Sequence, residues 1–219
     1  DTEMLFSGAQ DAMQRQTLVP LRHWLISQRC EHNVAPVRLM DIGCGTGRLL
    51  TFVADNHPEL ELTAVDLSPY YLQAARENFA YFAHDFKAGR GAEMQHEPRF
   101  LHANAEQIPE EDCRYDALTC VYLFHELPPS ARRAVSREMF RLLKPGGLLV
   151  LTDSVQEGDT RLGGALHWFP RQFHEPYYES WLHTDQLALF GQAGFEPFIV
   201  DAPAVVHVSK TTAWIKPQL

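Results

Sequence analysis

Two carboxylates and three glycines carry the clearest chemistry in the first third of the chain. The segment Asp41-Ile42-Gly43-Cys44-Gly45-Thr46-Gly47 closes an apolar run. Glycines at such a bend let main-chain groups approach a ligand, because they lack Cβ and tolerate positive φ. The dinucleotide fingerprint places its third glycine where this chain has Arg48, and the Gly-Lys-Ser/Thr ending of a nucleoside-triphosphate loop is absent. Asp41 would repel a pyrophosphate and suits a cationic ligand. Asp66, closing the next apolar run, can accept from the hydroxyls of a ribose. The pair predicts a nucleoside that carries positive charge and no phosphate.

Further along, Phe124-His125-Glu126-Leu127-Pro128-Pro129 offers a histidine that can take a proton near neutral pH; the alternative is that it caps the next helix. Glu126 is adjacent to it, and adjacent side chains point apart, so a structural role is expected there. His174-Glu175 with Tyr177 and Tyr178 forms a second constellation, His174 being the second candidate for proton transfer. Around it Trp168, Phe169, Phe173, Tyr177, Tyr178 and Trp181 put six aromatics within fourteen residues. Such a segment suits a cover over a flat or greasy acceptor, lined by Trp168, Tyr177 and Tyr178, with core packing or a dimer face as the competing use. Tyr70, beside Tyr71, is placed to border the same pocket. No metal is expected: His125-Glu126 lacks a second His four residues on, and the eleven His are dispersed.

The elements that must position these residues alternate in type. Strands are predicted over 37–42, 60–65, 99–103, 115–124 and 148–153. Helices are predicted over 48–56, 69–83 (Ser68 capping, Pro69 at the first position) and 129–143, with Lys144-Pro145-Gly146-Gly147 as the stop. This alternation implies a parallel, doubly wound α/β sheet covered on both faces. The tail differs. Thr184 can cap a helix to 193 that Gly194 ends, and the runs 195–200 and 205–215 are too close for a crossover helix, so they must pair antiparallel. At the front, 9–32 reads as one or two helices interrupted at Pro20.

Composition bounds the rest. A chain of 219 residues with 45% hydrophobic content suits one larger domain, and a net charge of −9 works against binding a phosphate backbone. No apolar run approaches a membrane span and no leader pattern opens the chain, although Asp1 in place of an initiator Met leaves room for residues upstream. Cys30, Cys44, Cys113 and Cys120 form no Cys-x-x-Cys pair, which predicts a reducing, cytoplasmic setting.

In this order, the motifs resemble the class I S-adenosylmethionine-dependent methyltransferases, and within them the small-molecule, quinone-biosynthesis C-methyltransferase type. The pieces are residues 39–47, Ala64-Val65-Asp66-Leu67-Ser68, residues 103–109, Tyr115-Asp116-Ala117-Leu118 and residues 141–147. The resemblance implies a Rossmann-like seven-stranded sheet with a terminal antiparallel hairpin and added N-terminal helices. It divides the single domain into a helical cap (1–35), a cofactor core (36–155), an aromatic substrate insertion (156–183) and a closing helix with hairpin (184–219). It also implies S-adenosylmethionine as cofactor and S-adenosylhomocysteine as product. Asp41, Gly43, Gly45 and Gly47 would hold the methionine part, Asp66 the ribose, and Leu67, Asn104 and Ala105 the adenine. Val121 and Tyr122 would line the sulfonium. Asn104 replaces the family's common Asp, which weakens cofactor binding without abolishing it. The implied activity is methyl transfer to a small aromatic or lipophilic acceptor, His125 being the expected base. Aminopropyl transfer and a non-catalytic binding role are the alternatives. Pro128-Pro129 lacks the Asn or Asp before it and the aromatic after it that base-flipping amino-methyltransferases use.

Overall fold

The computed structural model describes residues 10–31, 36–82, 94–159, 163–201 and 204–218. The helix ends expected at 9, 32 and 83, the hairpin turn at 202–203 and the side chains of Cys30 and Phe169 lie outside the described residues.

In chain order the elements are α1 (Gln10–Arg15), α2 (Leu18–Glu31), β1 (Arg38–Ile42), α3 (Arg48–Asn56), β2 (Glu61–Asp66), α4 (Pro69–Ala80), β3 (Arg99–His102) and β4 (Tyr115–Val121). There follow a 3₁₀ turn (Phe124–Glu126), α5 (Pro129–Leu142), β5 (Leu143–Ser154), α6 (Gly163–Phe173), α7 (Tyr178–Leu182), α8 (Gln186–Ala193), β6 (Glu196–Pro197), β7 (Val205–Val206) and β8 (Ser209–Ile215). The sheet runs β3-β2-β1-β4-β5-β8-β6, with β7 paired to β8. Pairing is parallel from β3 to β5 and antiparallel wherever β8 takes part. After β1 the chain winds outward through β2 and β3, then returns to lay β4 on the other side of β1. That reversal opens a crevice above the carboxyl ends of β1 and β4, where ligands of open α/β sheets bind.

Alternation along the central strands sends side chains to opposite faces. Leu39, Leu62, Ala117 and Leu148 pack under α2, α3 and α4 through Leu25, Leu50, Val53 and Leu72. Met40, Leu118, Cys120 and Leu149 pack under α5, α7 and α8 through Val135, Met139, Trp181 and Phe190. Among the described residues no helix is long and apolar enough to cross a membrane.

Several boundaries depart from expectation for local reasons. The N-terminal helices break at Gln16-Thr17, not at Pro20, which sits in the first turn of α2 where a missing N–H breaks no helical bond. Thr184 does not cap α8. Its hydroxyl donates to Ser180 O at 2.8 Å and accepts from Arg132 Nη1 at 3.0 Å, leaving Asp185 to accept from Ala188 N. The sheet has eight strands, not seven, because the run 205–215 turns at His207 (φ 55°) into β7 and β8. The fourth strand ends at Val121 instead of running to 124. Lys144-Pro145-Gly146-Gly147 ends α5 as expected but lies inside β5, where the ladder jumps from Tyr115–Leu143 to Ala117–Leu148. The aromatic stretch without evident period contains α6 and α7.

One buried side chain fixes this stretch to the sheet. Arg132 on α5 is 1% exposed. Its Nε donates to Phe124 O (2.8 Å), and its Nη2 donates to Tyr177 O (2.8 Å) and Ser180 Oγ (3.0 Å). Replacing it removes these charge-assisted bonds, although Phe124 O keeps Leu127 N–H and Tyr177 O keeps Trp181 N–H and the Ser180 hydroxyl. Arg132→Met is expected to lower unfolding stability by about 2–5 kcal/mol in urea denaturation, since a hydrogen bond from a charged donor contributes about 1.5–3 kcal/mol.

Candidate active site

The bend after β1 is built from three glycines at positive φ: Gly43 (70°), Gly45 (52°) and Gly47 (73°). At Gly47 the reason is packing, since a Cβ would stand 3.0 Å from Ala75 Cβ and 3.2 Å from its Cα on α4. At Gly45 a Cβ would meet nothing within 4 Å. The space beside Gly45 is open, as a ligand cradle requires. Arg48, where a dinucleotide site would have glycine, forks onto Asp11 (3.1 and 2.6 Å) and lies 4.3 Å from the Phe52 ring centroid. It thereby ties α1 to the start of α3.

The two expected acids face this bend. Asp66 receives Gly45 N–H at 2.9 Å on one oxygen and Ser68 N–H at 2.8 Å on the other, which fixes the carboxylate while leaving lone pairs for further donors. Asp41 is 2% exposed, and among the described residues its carboxyl accepts one hydrogen bond, from Thr119 Oγ1 (2.8 Å) on neighbouring β4. Burial pushes its carboxyl up to about 7; the Thr119 bond opposes this and the Asp66 charge adds to it. Burial likewise raises the thiols of Cys44 and Cys120, so neither supplies a thiolate at neutral pH.

Beyond Asp66, Leu67 is 65% exposed at the mouth of the groove, and its carbonyl accepts from His102 Nε2 at 2.8 Å. Asn104 is exposed after β3, with Ala105 half-buried beside it. Asn104 Oδ1, expected to meet an adenine edge, already accepts Glu106 N–H at 3.0 Å; its second lone pair stays available.

At the end of β4, Val121 and Tyr122 are half-buried, and Tyr122 takes a positive φ of 56° that turns the chain off the strand. Its hydroxyl hydrogen-bonds Ser209, and burial pushes its pKa up to about 12. His125 follows, 8% exposed, its Nδ1 bonded at 2.7 Å to Asp153 Oδ1. Asp153, itself 1% exposed at the end of β5, also accepts from Phe124 N and Ser154 N. Burial disfavours the charged imidazole, but the Asp153 charge and hydrogen bond, with Glu126 and Glu175, outweigh it and raise its pKa. Sequence reading missed Asp153. The only signal was an acid closing the strand that neighbours the His125 turn.

The second constellation divides. Tyr178 is buried edge-on to His125, ring centroids 5.8 Å apart, so it backs the imidazole and does not line a surface. Glu175 reaches the His125–Glu126 turn, whereas His174 (φ 56°) is exposed and no contact joins it to His125. Tyr70 (82%), Trp168 (57%) and Tyr177 (38%) remain exposed.

A sequence profile described as a methyltransferase domain matches residues 39–147, the span that carries the bend, both acids and the β4 turn. The chain belongs to the class I S-adenosylmethionine-dependent methyltransferases. Two demethylmenaquinone methyltransferases, from Deinococcus radiodurans and Thermus thermophilus, are 31% and 32% identical to it over 119 residues, 54% of this chain. The chain spans less than half of those relatives, 44% and 48% of their lengths. The crystal structure of magnesium protoporphyrin IX methyltransferase from Synechocystis, with bound SAH, superposes with a TM-score of 0.65 at 17% identity, over 94% of this chain and 84% of that one. This likeness shows a shared fold. The family's cofactor, S-adenosylmethionine, fits what the residues offer: open space at Gly45, a buried acid without a cationic partner, and a carboxylate with lone pairs to spare.

The buried acid makes stability depend on pH. Asp41 titrates near 3.8 when exposed and near 7 in the fold, so between these values the native state holds a proton the unfolded chain has lost. Its contribution is therefore complete below pH 4 and lost as pH rises to about 7. Asp41→Asn is expected to melt several degrees above the wild type at pH 8 (about 2–4 °C per kcal/mol regained), with the gap closing at pH 4. Thermal denaturation at the two pH values checks this.

Proposed function

We propose that this methyltransferase moves the methyl group of S-adenosylmethionine to a small aromatic or lipophilic acceptor. The observation that carries this reading is the pair of acids flanking the open bend at Gly45. Asp41 and the backbone of Gly43, Gly45 and Gly47 hold the methionine end. Asp66 holds the ribose, Leu67 lies along the adenine, Asn104 and Ala105 address its edge, and Val121 and Tyr122 border the reacting end. The bound cofactor supplies an electrophilic methyl on a sulfonium. The chain's own work is alignment and exclusion of water, which suffice for much of the barrier in an in-line displacement. His125, oriented by Asp153, stands where the acceptor's reacting atom enters and is the catalytic residue of this reading. His174 has no such tie and ranks behind it.

In the same reading residues 36–155 form the cofactor core and 156–183 bound the acceptor. The exposed rings of Tyr70, Trp168 and Tyr177 suit a flat apolar partner, and so do the relatives' names. One observation favours a second reading. The cleft past β4 carries Glu126 and Glu175, one more acid than sequence spacing suggested, which would suit aminopropyl transfer to a diamine.

Calorimetric titration with S-adenosylmethionine tests the cradle: the wild type binds, and Asp66→Ala weakens binding at least about tenfold, the equivalent of 1.4 kcal/mol. A wild type that binds no cofactor refutes the proposal. His125→Ala is expected to lower kcat about 100-fold or more on an acceptor found by labelled-methyl transfer, with cofactor affinity little changed. Turnover with a decarboxylated cofactor and a diamine, and none with S-adenosylmethionine, would favour the second reading.

A further inference from the structure

We propose that the chain binds a first-row divalent cation through His125, Glu126 and Glu175, at a site apart from the cofactor cradle. A ring nitrogen of His125 and one carboxylate oxygen from each glutamate lie within 4.8 Å of one another. Sequence spacing hid this cluster, because Glu175 arrives from the α6–α7 turn while the other two sit in the turn after β4.

The histidine is prepared as a ligand. Nδ1 is taken by Asp153 at 2.7 Å, which leaves Nε2 as the free ring nitrogen, and among the described residues nothing bonds to it. The residue is 8% exposed, so this lone pair has little access to water. A carboxylate behind one ring nitrogen fixes the tautomer and raises the basicity of the other, the arrangement metal-bound histidines use. Asp153 is in turn held by Phe124 N (2.8 Å) and Ser154 N (2.7 Å).

The two ligand-bearing segments are also fastened together. Arg132 donates to the carbonyl of Phe124, just before His125, and to that of Tyr177, two residues after Glu175. Among the described residues no Lys or Arg forms an ion pair with Glu126, Glu175 or Asp153; the nearest cation, Arg132, feels the Asp153 charge but spends its donors on Phe124 O, Tyr177 O, Ser180 and Thr184. One nitrogen and two carboxylate oxygens favour Mn²⁺, Fe²⁺, Co²⁺ or Zn²⁺ over the all-oxygen cations. Three protein ligands leave coordination positions open for a donor atom of a bound molecule. With a cation on Nε2, His125 acts as a ligand and no longer accepts a proton. Cation binding does not require the methyl-transfer reading, and it replaces only the role of His125 as base within that reading, leaving the cofactor cradle untouched.

Mn²⁺ titration of the intact chain, followed by the electron paramagnetic resonance signal of the free ion, tests the proposal. One Mn²⁺ per chain is expected, with Kd raised at least about tenfold in Glu175→Gln and in Glu126→Gln. Glu126 is exposed, so its variant keeps the test decisive should Glu175→Gln fold poorly. His183→Ala, which disrupts the exposed His183–Glu157 pair outside the cluster, is expected to leave Kd unchanged. No binding at millimolar Mn²⁺, binding indifferent to both Glu variants, or binding lost in His183→Ala would each overturn it. So would a diamine raising Tm in a Glu175-dependent way where Mn²⁺ does not, which would assign the acids to a cationic acceptor.

Discussion

Negative charge concentrated at the carboxyl edge of a parallel sheet governs what this protein can hold. Asp41, Asp66 and Asp153 close β1, β2 and β5 or stand next to their ends, and among the described residues none forms an ion pair with a Lys or Arg. Their hydrogen bonds come instead from a threonine hydroxyl, backbone N–H groups and one imidazole. Such partners orient a carboxylate without cancelling its field, and the low-dielectric walls keep that field strong. A ligand entering there gains most by carrying positive charge. A sulfonium nucleoside would meet that demand at one end of the crevice, and an amine or metal ion would meet it at the other.

The sheet order makes this concentration possible. Because β4 is laid beside β1 after the chain has gone out to β3, residues far apart in sequence finish on one edge. Thr119 reaches Asp41 across a β1–β4 pair, and Asp153 reaches His125 from β5. The helices on either face supply burial, and with it the raised carboxyl of Asp41.

Legibility in the sequence followed the range of each interaction. The glycine bend, Asp66 and the Ser68-Pro69 helix start are encoded within a few residues, and each stands where local chemistry placed it. Asp153 and Glu175 were not legible, because their meaning comes from partners in other elements. The cap of α8 failed for a similar reason. Thr184 is a good capping residue, but Arg132 and Ser180, remote or a turn away, engage its hydroxyl, and Asp185 takes over. His174 and Glu175 are neighbours in sequence, and only the fold separates the one left in solvent from the one turned inward. Tyr178 looked like a wall of the pocket until burial placed it behind the imidazole.

The short first helix touches both ends of the crevice. Asp11 clasps Arg48 beside the glycine bend, while Met13 packs under Ser209, which in turn bonds Tyr122. On the proposed assignment, in which the cofactor runs from the glycine bend to Tyr122, docking of that helix and occupancy of the cradle would be thermodynamically reciprocal. Whatever pried the helix loose would then loosen the nucleoside by an equal factor, and a filled cradle would in turn shield the helix from proteases.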